Sequence, residues 1–423
     1  MSPLDRRTFL TRSLLTAGAG GVGLGVGAAA TDAQAKQPSS AEQASHALAG
    51  ELATQIPFDG AHQAGILTHP QDQMTMLALD SIAPNRVALF EGLQALSAQA
   101  RRLTQGSYVG VTEVDDPAPD SGILGAYDAP DALTVTVAFG ATLFDDRYGL
   151  ARLRPKRLIA MPHFPNDNVD PARAGGDVLV KVCASHRDTV VHTVREILRA
   201  VAGKLTPRWM LDGFQSAARG PKPTSNRRNL FAFRDGTANP DVTDAALMNR
   251  LIWIQPGSGE PTWATGGTYQ VVRTIRMHVE FWDRVGLLEQ EQMIGRYRVS
   301  GAPLGGVNEF ENPDYPSDPN GNRIKLNAHI RLANPRTPET ADQRILRRGY
   351  NYNRGLDEAG NQDQGLLFIA FNQNPERQFA TIQTRLTPEP MVDYITPVGG
   401  GYFFAPRGTS GPADWVGSGL ASV

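Results

Sequence analysis

Asp177-Val178-Leu179-Val180-Lys181-Val182-Cys183-Ala184 is an almost uninterrupted apolar run, rich in valine and short, and it reads as a buried strand. Residues 189–201 follow it with apolar side chains at helical spacing. A second strand-then-helix unit stands far downstream. Gly365-Leu366-Leu367-Phe368-Ile369-Ala370-Phe371 is again continuous and apolar, a polar loop with Asn374 and Pro375 follows, and residues 379–386 return to helical spacing. The two units align from Gly176 and Gly365 onward with a gap of about one residue. The expectation is an α+β chain of two related halves, the alternative being chance similarity of two common units.

The stretch between the halves, residues 206–228, is rich in proline and arginine, and Pro207, Pro221 and Pro223 are expected to break any long element there. The boundary is placed in it, giving domains at 58–215 and 216–423. Two polar, turn-rich segments in the second half, residues 312–322 and 357–364, are the kind of loop that carries function.

At the start of the chain Arg6 and Arg7 stand side by side with Phe9 and Leu10 behind them, then an uncharged Gly- and Ala-rich stretch runs from residue 13 to 30. Ala33-Gln34-Ala35 supplies a small-x-small cleavage site. Residues 1–35 are therefore read as a twin-arginine export signal, and residues 36–57 as a linker ahead of the fold. The stretch is too poor in Leu, Ile and Phe for a firm membrane anchor. That route serves folded proteins, so a cofactor acquired before export is expected, with the translocase as a partner and a periplasmic or other extracytoplasmic destination.

The 423-residue chain carries 41 basic and 43 acidic side chains, a formal charge of −2, which gives no footing for nucleic acid as a partner and points to a small substrate. Cys183, the one cysteine, lies inside an apolar run and reads as a buried thiol. The eight histidines form no HxxxH, HxH or HExxH pair and no Cys–His cluster, against a multi-histidine metal centre. A metal held by a single protein ligand must bring its other ligands with it, as haem does.

Three segments carry candidate chemistry. His329 sits in Lys325-Leu326-Asn327-Ala328-His329-Ile330-Arg331, ahead of the turn Asn334-Pro335-Arg336, and suits either a ligand or a hydrogen-bonded structural role. In Ala232-Phe233-Arg234-Asp235-Gly236-Thr237-Ala238, an apolar stretch ends in Asp-Gly. That is either an ordinary turn or a place where the backbone approaches a flat ligand under a carboxylate. In Arg344-Ile345-Leu346-Arg347-Arg348-Gly349-Tyr350, clustered arginines form either a solvated face or a fixed positive charge in a pocket.

Together with Phe58-Asp59-Gly60-Ala61-His62-Gln63-Ala64-Gly65-Ile66, Ile294-Gly295-Arg296, Gly301-Ala302-Pro303-Leu304 and Gly399-Gly400-Gly401-Tyr402-Phe403-Phe404, these motifs resemble the dye-decolorising haem peroxidases. The likeness is to their exported bacterial branch, which includes the deferrochelatases of iron-uptake systems, and it runs over almost all of the chain after the signal. One departure is visible, since the family motif GxxDG reads here with Ala232 at its first position. An ordinary backbone conformation at Ala232 would make the change cheap.

The resemblance implies two ferredoxin-like domains of the dimeric α+β barrel type, with haem b, one per chain, in the second. It makes His329 the proximal iron ligand, with Asp235 and Arg347 on the peroxide side. Gly236, Thr237, Ala238, Asn334, Pro335 and Arg336 become haem contacts, with Arg336 facing a propionate. Asp393 is the candidate carboxylate for the outer nitrogen of His329. Asp235 would move a proton and Arg347 would stabilise charge on the departing oxygen. Tyr350, Tyr352 and Trp263 are candidate carriers of oxidising equivalents. The implied activities are peroxide-driven oxidation of dyes or phenols and release of iron from haem, in a homo-oligomer that serves an iron-uptake permease. A haem-binding or haem-delivery protein without turnover is the non-enzymatic alternative.

Overall fold

The computed structural model describes residues 48–110, 112–113, 115–219 and 226–421. The export signal, Arg6 and Arg7 included, lies outside the described residues, as do Pro221 and Pro223. Within the stretch expected as linker, residues 48–52 are helical, and the Leu52 and Thr54 carbonyls accept from the backbone N–H of Asp131 and Ala132.

The first half is built from β1 (Gln73–Ser81), α1 (Arg86–Gln105), β2 (Thr134–Gly140), β3 (Val178–Ala184), α2 (Arg187–Ala200) and β4 (Leu205–Phe214). The second contains β5 (Thr268–Met277), β6 (Leu346–Arg347), β7 (Tyr350–Leu356), β8 (Gln362–Asn372) and β9 (Ile395–Ala405). Taking β6 and β7 as one interrupted strand, each half has the antiparallel order fourth-first-third-second. That shared order is the ferredoxin-like arrangement, and it makes β3 and β8 equivalent, as the alignment of their sequences anticipated.

The halves join edge to edge. Phe403 and Phe404 of β9 pair with Gly140 and Phe139 of β2, and Phe214 of β4 pairs with Asn351 of β7, so with β5–β8 pairing the sheet closes on itself. Closure removes the exposed edges that either half would present alone. Alternate residues of the strands then meet different cores. Val178, Val180 and Val182 pack outward under Leu89, Leu93 and Leu96 of α1. Leu179 and Cys183 point inward with Tyr350, Ile369 and Phe371 of the other half. Every residue of β3 is buried. This explains its unbroken apolar run, which a one-sided sheet would not need.

Pro207 does not break its element as expected. It lies within β4 at a register shift, where Ala78 pairs with Trp209 but Leu79 pairs with Pro207. A bulge there absorbs the missing N–H. Of the loop expected at residues 357–364, residues 357–361 form the hairpin turn between β7 and β8 and residues 362–364 already belong to β8; the turn is pinned by an Arg276–Asp357 ion pair of 2.6 Å and has no part in the site described below. Arg276 and the Asn361 N–H hold the Asp357 carboxyl down at about 2.

The second half departs from the first in its β5-to-β6 connection, which expands to residues 278–345 and carries α3 (Leu287–Ile294) and α4 (His329–Ala333). Its other connection, between β8 and β9, carries α5 (Thr381–Leu386). These two connections cover one face of the second sheet and enclose a cavity.

Candidate active site

The cavity has a volume of about 410 Å³ and lies wholly in the second half apart from Phe164, Pro165 and Asn166. Phe231, Phe233, Met277 and Ile294 form part of its wall and belong to an apolar cluster closed by Trp282, whose ring stacks on Phe231 at 4.3 Å.

His329 opens α4 and faces this space. A five-residue helix has too few internal bonds to hold itself. Its ends are tied from outside instead. Arg385 donates to the carbonyls of Leu332 (2.9 Å) and Ala333 (3.3 Å). Arg331 donates to the carbonyls of Ile324 (2.9 Å) and Asp318 (2.8 Å). The Asp318 carboxylate in turn accepts from the backbone N–H of Asn322 and Ile324. The polar loop at residues 312–322 thus acts as a brace for His329.

The Nδ1 of His329 lies 2.6 Å from Oε2 of Glu389, whose side chain is only 3 % exposed. Burial opposes a charged imidazole, but the adjacent carboxylate prevails and holds the His329 pKa above the ordinary histidine value. Asp393, the residue expected in this role, is exposed and lies outside the cavity lining. The reason is local. Glu389 precedes the turn of 3₁₀ helix Pro390–Tyr394 and points inward, whereas Asp393 sits on the outer side of that turn. A lone carboxylate fixed between Pro388 and Pro390, directly after an apolar helix, was the available signal.

Arg347 and Asp235 meet at 2.7 Å, Nη1 to Oδ1, on the same cavity. Both are placed by backbone. Asn239, which the sequence reading missed, accepts from Arg347 N–H and donates to Arg347 C=O, each at 2.9 Å, so one amide side chain clamps both backbone groups of Arg347 on one edge of β6. Asp235 is positioned by its N–H to the Arg227 carbonyl at 3.0 Å, and Gly236 behind it has φ +89°, open to glycine at no steric cost.

The condition that would make the change at Ala232 cheap is not met, because its φ is +68°. The turn is imposed by Asn229, whose Oδ1 accepts from the N–H of Phe231 (3.1 Å) and Phe233 (3.2 Å) while its carbonyl accepts from Ala232 N–H. The left-handed conformation therefore persists without glycine, at a cost of about 1–2 kcal/mol.

Of the other expected contacts, Thr237, Ala238, Asn334 and Arg336 line the cavity. Pro335 does not. Gly236 lines a smaller, polar neighbouring cavity of about 210 Å³ that shares Asp235 and Arg347 with the large one. Arg336, at φ +60°, donates to Asn312 Oδ1 at 2.6 Å. Tyr350, Tyr352 and Trp263 are all buried, and Trp263 is a core residue whose indole N–H donates to the Leu153 carbonyl.

The rim is strongly cationic. Arg273, Arg296 and Arg344 also line the cavity, and burial depresses the pKa of all three. Nε and Nη1 of Arg273 and Nε of Arg344 are buried without a partner. Apolar walls, one imidazole with a carboxylate behind it, and buried guanidinium groups in want of acceptors fit a flat apolar macrocycle bearing a metal and carboxylates.

Comparison with known proteins agrees. Residues 63–215 match the family model described as Dyp-type peroxidase, N-terminal, and residues 226–410 match Dyp-type peroxidase, C-terminal. The chain belongs to the Dyp-type peroxidase family. Among its relatives, the deferrochelatase of Escherichia coli K12 is 46 % identical over 370 residues, covering 87 % of each chain. That of Shigella flexneri serotype 5b is 45 % identical over 370 residues, covering 87 % of this chain and 88 % of the relative. Among solved structures, the DyP-type peroxidase of Cellulomonas bogoriensis is 34 % identical with a TM-score of 0.78, covering 88 % of this chain and all of its own. Ferric DtpA of Streptomyces lividans is 32 % identical with a TM-score of 0.79, covering 89 % and 99 %. The Dyp-type fold of two ferredoxin-like halves and the haem peroxidase function follow for this chain.

Proposed function

We propose that this Dyp-type peroxidase binds one haem b per chain through His329 and uses hydrogen peroxide to oxidise small phenols or dyes. The observation that carries the reading is the Asp235–Arg347 contact of 2.7 Å, on the same cavity as the His329–Glu389 pair. Arg296, Arg336 and Arg344 supply cations for the propionates, whereas the Arg273 guanidinium is already paired with the buried Asp167 carboxylate. When bound, haem supplies the redox-active iron at which peroxide is reduced.

The chain's own groups do the rest. Glu389 accepts the Nδ1 proton of His329, which fixes the tautomer and leaves Nε2 as the ligand atom with increased basicity. An Asp235 carboxylate oxygen takes a proton from one peroxide oxygen and returns it to the other, which departs as water. The Arg347 guanidinium stabilises the charge on that departing oxygen, at a place where Asn239 holds the backbone fixed. The smaller polar cavity sharing Asp235 and Arg347, about 210 Å³, has room for several molecules of the size of peroxide or water beside the pair.

Release of iron from haem is the second activity we infer, supported by 46 % identity to relatives named deferrochelatase. A haem carrier without turnover would have no use for an aspartate–arginine pair beside the bound group. The domains on this reading are 58–215 and 216–423, the protein works outside the cytoplasm after recognition of Arg6 and Arg7 by the twin-arginine translocase, it is a homo-oligomer, and released iron passes to an uptake permease. Among the described residues no helix is long and apolar enough to cross a membrane. Incubating the haem form with and without peroxide, while following the haem band and free protoporphyrin, separates the activities. Metal-free porphyrin marks iron release, and substrate oxidation with an intact band marks peroxidase activity alone.

A further inference from the structure

Away from the haem cavity, the first half brings together three side chains of metal-ligand type. Asp120, Asp128 and His192 are 9 %, 1 % and 0 % exposed, and one ligand atom from each lies within 4.8 Å of the other two. They come from separate places in the chain. Asp120 lies in the long segment between the two-residue strands Ser107–Tyr108 and Tyr127–Asp128, Asp128 ends the second of these, and His192 is on α2. None of the three lines the haem cavity.

Half of their hydrogen-bonding capacity is spoken for. Asp120 Oδ1 accepts from Gly122 N–H at 2.8 Å, Asp128 Oδ2 accepts from Arg102 Nη1 at 3.1 Å, and His192 Nδ1 is 2.6 Å from Ser121 Oγ. The remaining atoms, Asp120 Oδ2, Asp128 Oδ1 and His192 Nε2, are buried and have no partner. Leaving one such atom buried and unsatisfied costs about 1–3 kcal/mol, and more for a charged one, so three at one place call for a common partner. Two carboxylates with one arginine among them leave an excess negative charge at a buried place, which favours a cation over a water molecule as that partner.

A proton on His192 satisfies the set poorly. Its Nε2 is 3.4 Å from Asp128 Oδ1, outside good hydrogen-bond geometry, and leaves Asp120 Oδ2 unserved. A metal ion drawing the three groups together would satisfy all three atoms, since one ligand atom from each residue lies within 4.8 Å of the other two. With bonds of about 2.0–2.1 Å, two ligands of a tetrahedral zinc ion stand about 3.3 Å apart, close to the observed 3.4 Å. One imidazole and two carboxylates are a zinc-type donor set that leaves the fourth position to water. Calcium and magnesium demand more oxygen ligands, and no thiolate is present to select a softer ion.

We propose that Asp120, Asp128 and His192 form a structural site for one divalent transition-metal ion of the zinc class. The ion ties the segment at residues 115–126 to α2 and, through Arg102, to α1. Arg199 of α2 holds the same segment by donating to the Ala118 carbonyl at 2.8 Å, so the attachment has two points.

The test uses the full haem-loaded protein, stripped with a chelator, given excess zinc chloride and desalted. Elemental analysis should find one zinc per chain beyond the haem iron, and zinc-edge X-ray absorption should show a shell of nitrogen and oxygen only. Asp120→Asn, on the segment itself, should weaken zinc binding at least about a hundredfold with the haem band unchanged, on the scale of disrupted metal sites. His192→Gln should do the same. Zinc should also slow protease cleavage within residues 115–126 in the wild type and not in Asp120→Asn. Absence of retained zinc in the wild type, equal retention by wild type and Asp120→Asn, or a shell containing sulfur overturns the proposal. Should His192→Gln fail to fold, the wild-type spectrum and Asp120→Asn decide alone.

Discussion

His329 Nδ1 lies 2.6 Å from Glu389 Oε2, on a carboxylate almost wholly buried, and this carboxylate holds the imidazole pKa above the ordinary histidine value. Glu389→Gln keeps the shape and removes the charge. Haem affinity should fall about 10–100-fold, as for other groups behind a metal-bound histidine, read by haem transfer to an acceptor protein. A variant that holds haem as tightly as the wild type would remove Glu389 from this role.

The same pair makes the stability of the haem-free protein depend on pH. Because the folded pKa of His329 is raised, its ion pair contributes fully below the unfolded value near 6.5 and its contribution is lost as pH rises through the folded value. Denaturant unfolding should therefore show a larger deficit for Glu389→Gln at pH 6 than at pH 9. A deficit of about 1–3 kcal/mol at the lower pH is the expected size for one lost partner in a buried pair. An equal or larger deficit at pH 9 would reverse the sign.

Ala232→Gly should stabilise the protein. The left-handed conformation at φ +68° costs an alanine about 1–2 kcal/mol, and the added freedom of glycine in the unfolded chain returns part of it. A net gain of about 0.5–1 kcal/mol, or a rise of about one degree in Tm, follows. Peroxidase rates should not change, since the Asp235 and Gly236 backbone is already in place.

Asn239→Ala should loosen Arg347 without removing it. Both hydrogen bonds from Asn239 to the Arg347 backbone are lost, and a displacement of this kind costs up to about a hundredfold in rate even away from the chemistry. The haem content should remain that of the wild type, whereas its reaction rate with peroxide falls. Restored rate in Asn239→Asp, which keeps the acceptor for Arg347 N–H, would show which of the two bonds matters.

Dye oxidation should favour acid. A carboxylate base ionises about 2.5 pH units below an imidazole, so it works where a histidine base would be protonated. Rates measured at saturating peroxide from pH 3 to 9 should be highest on the acid side. A maximum at neutral or alkaline pH would count against a carboxylate as the base.

The repeat of a buried strand and helix was legible in the sequence because β3 is buried on both faces, while β8 turns Leu367 and Ile369 into the core and Leu366 and Phe368 onto the apolar cavity, so both runs are apolar throughout. The closure of both sheets into one barrel was not, since it rests on pairings such as Phe214 with Asn351 between residues far apart in sequence. Asp235, Arg347 and His329, each singled out by a motif of its own, are brought onto one cavity. Glu389 was missed and Asp393 chosen because residues four apart on a short 3₁₀ turn point to opposite sides, and local sequence does not reveal which side faces the cavity. Pro207 misled in the same way, as a β-bulge can absorb a proline that the sequence presents as a breaker.

The central claim is that Asp235 and Arg347 act on peroxide beside a haem held by His329. Stopped-flow mixing of the haem form with hydrogen peroxide, followed at the haem band, tests it most directly. In Arg347→Leu and in Asp235→Asn the second-order rate of the first spectral change should fall by about a hundredfold or more, with haem content as in the wild type. Rates within about twofold of the wild type in both variants would contradict the account.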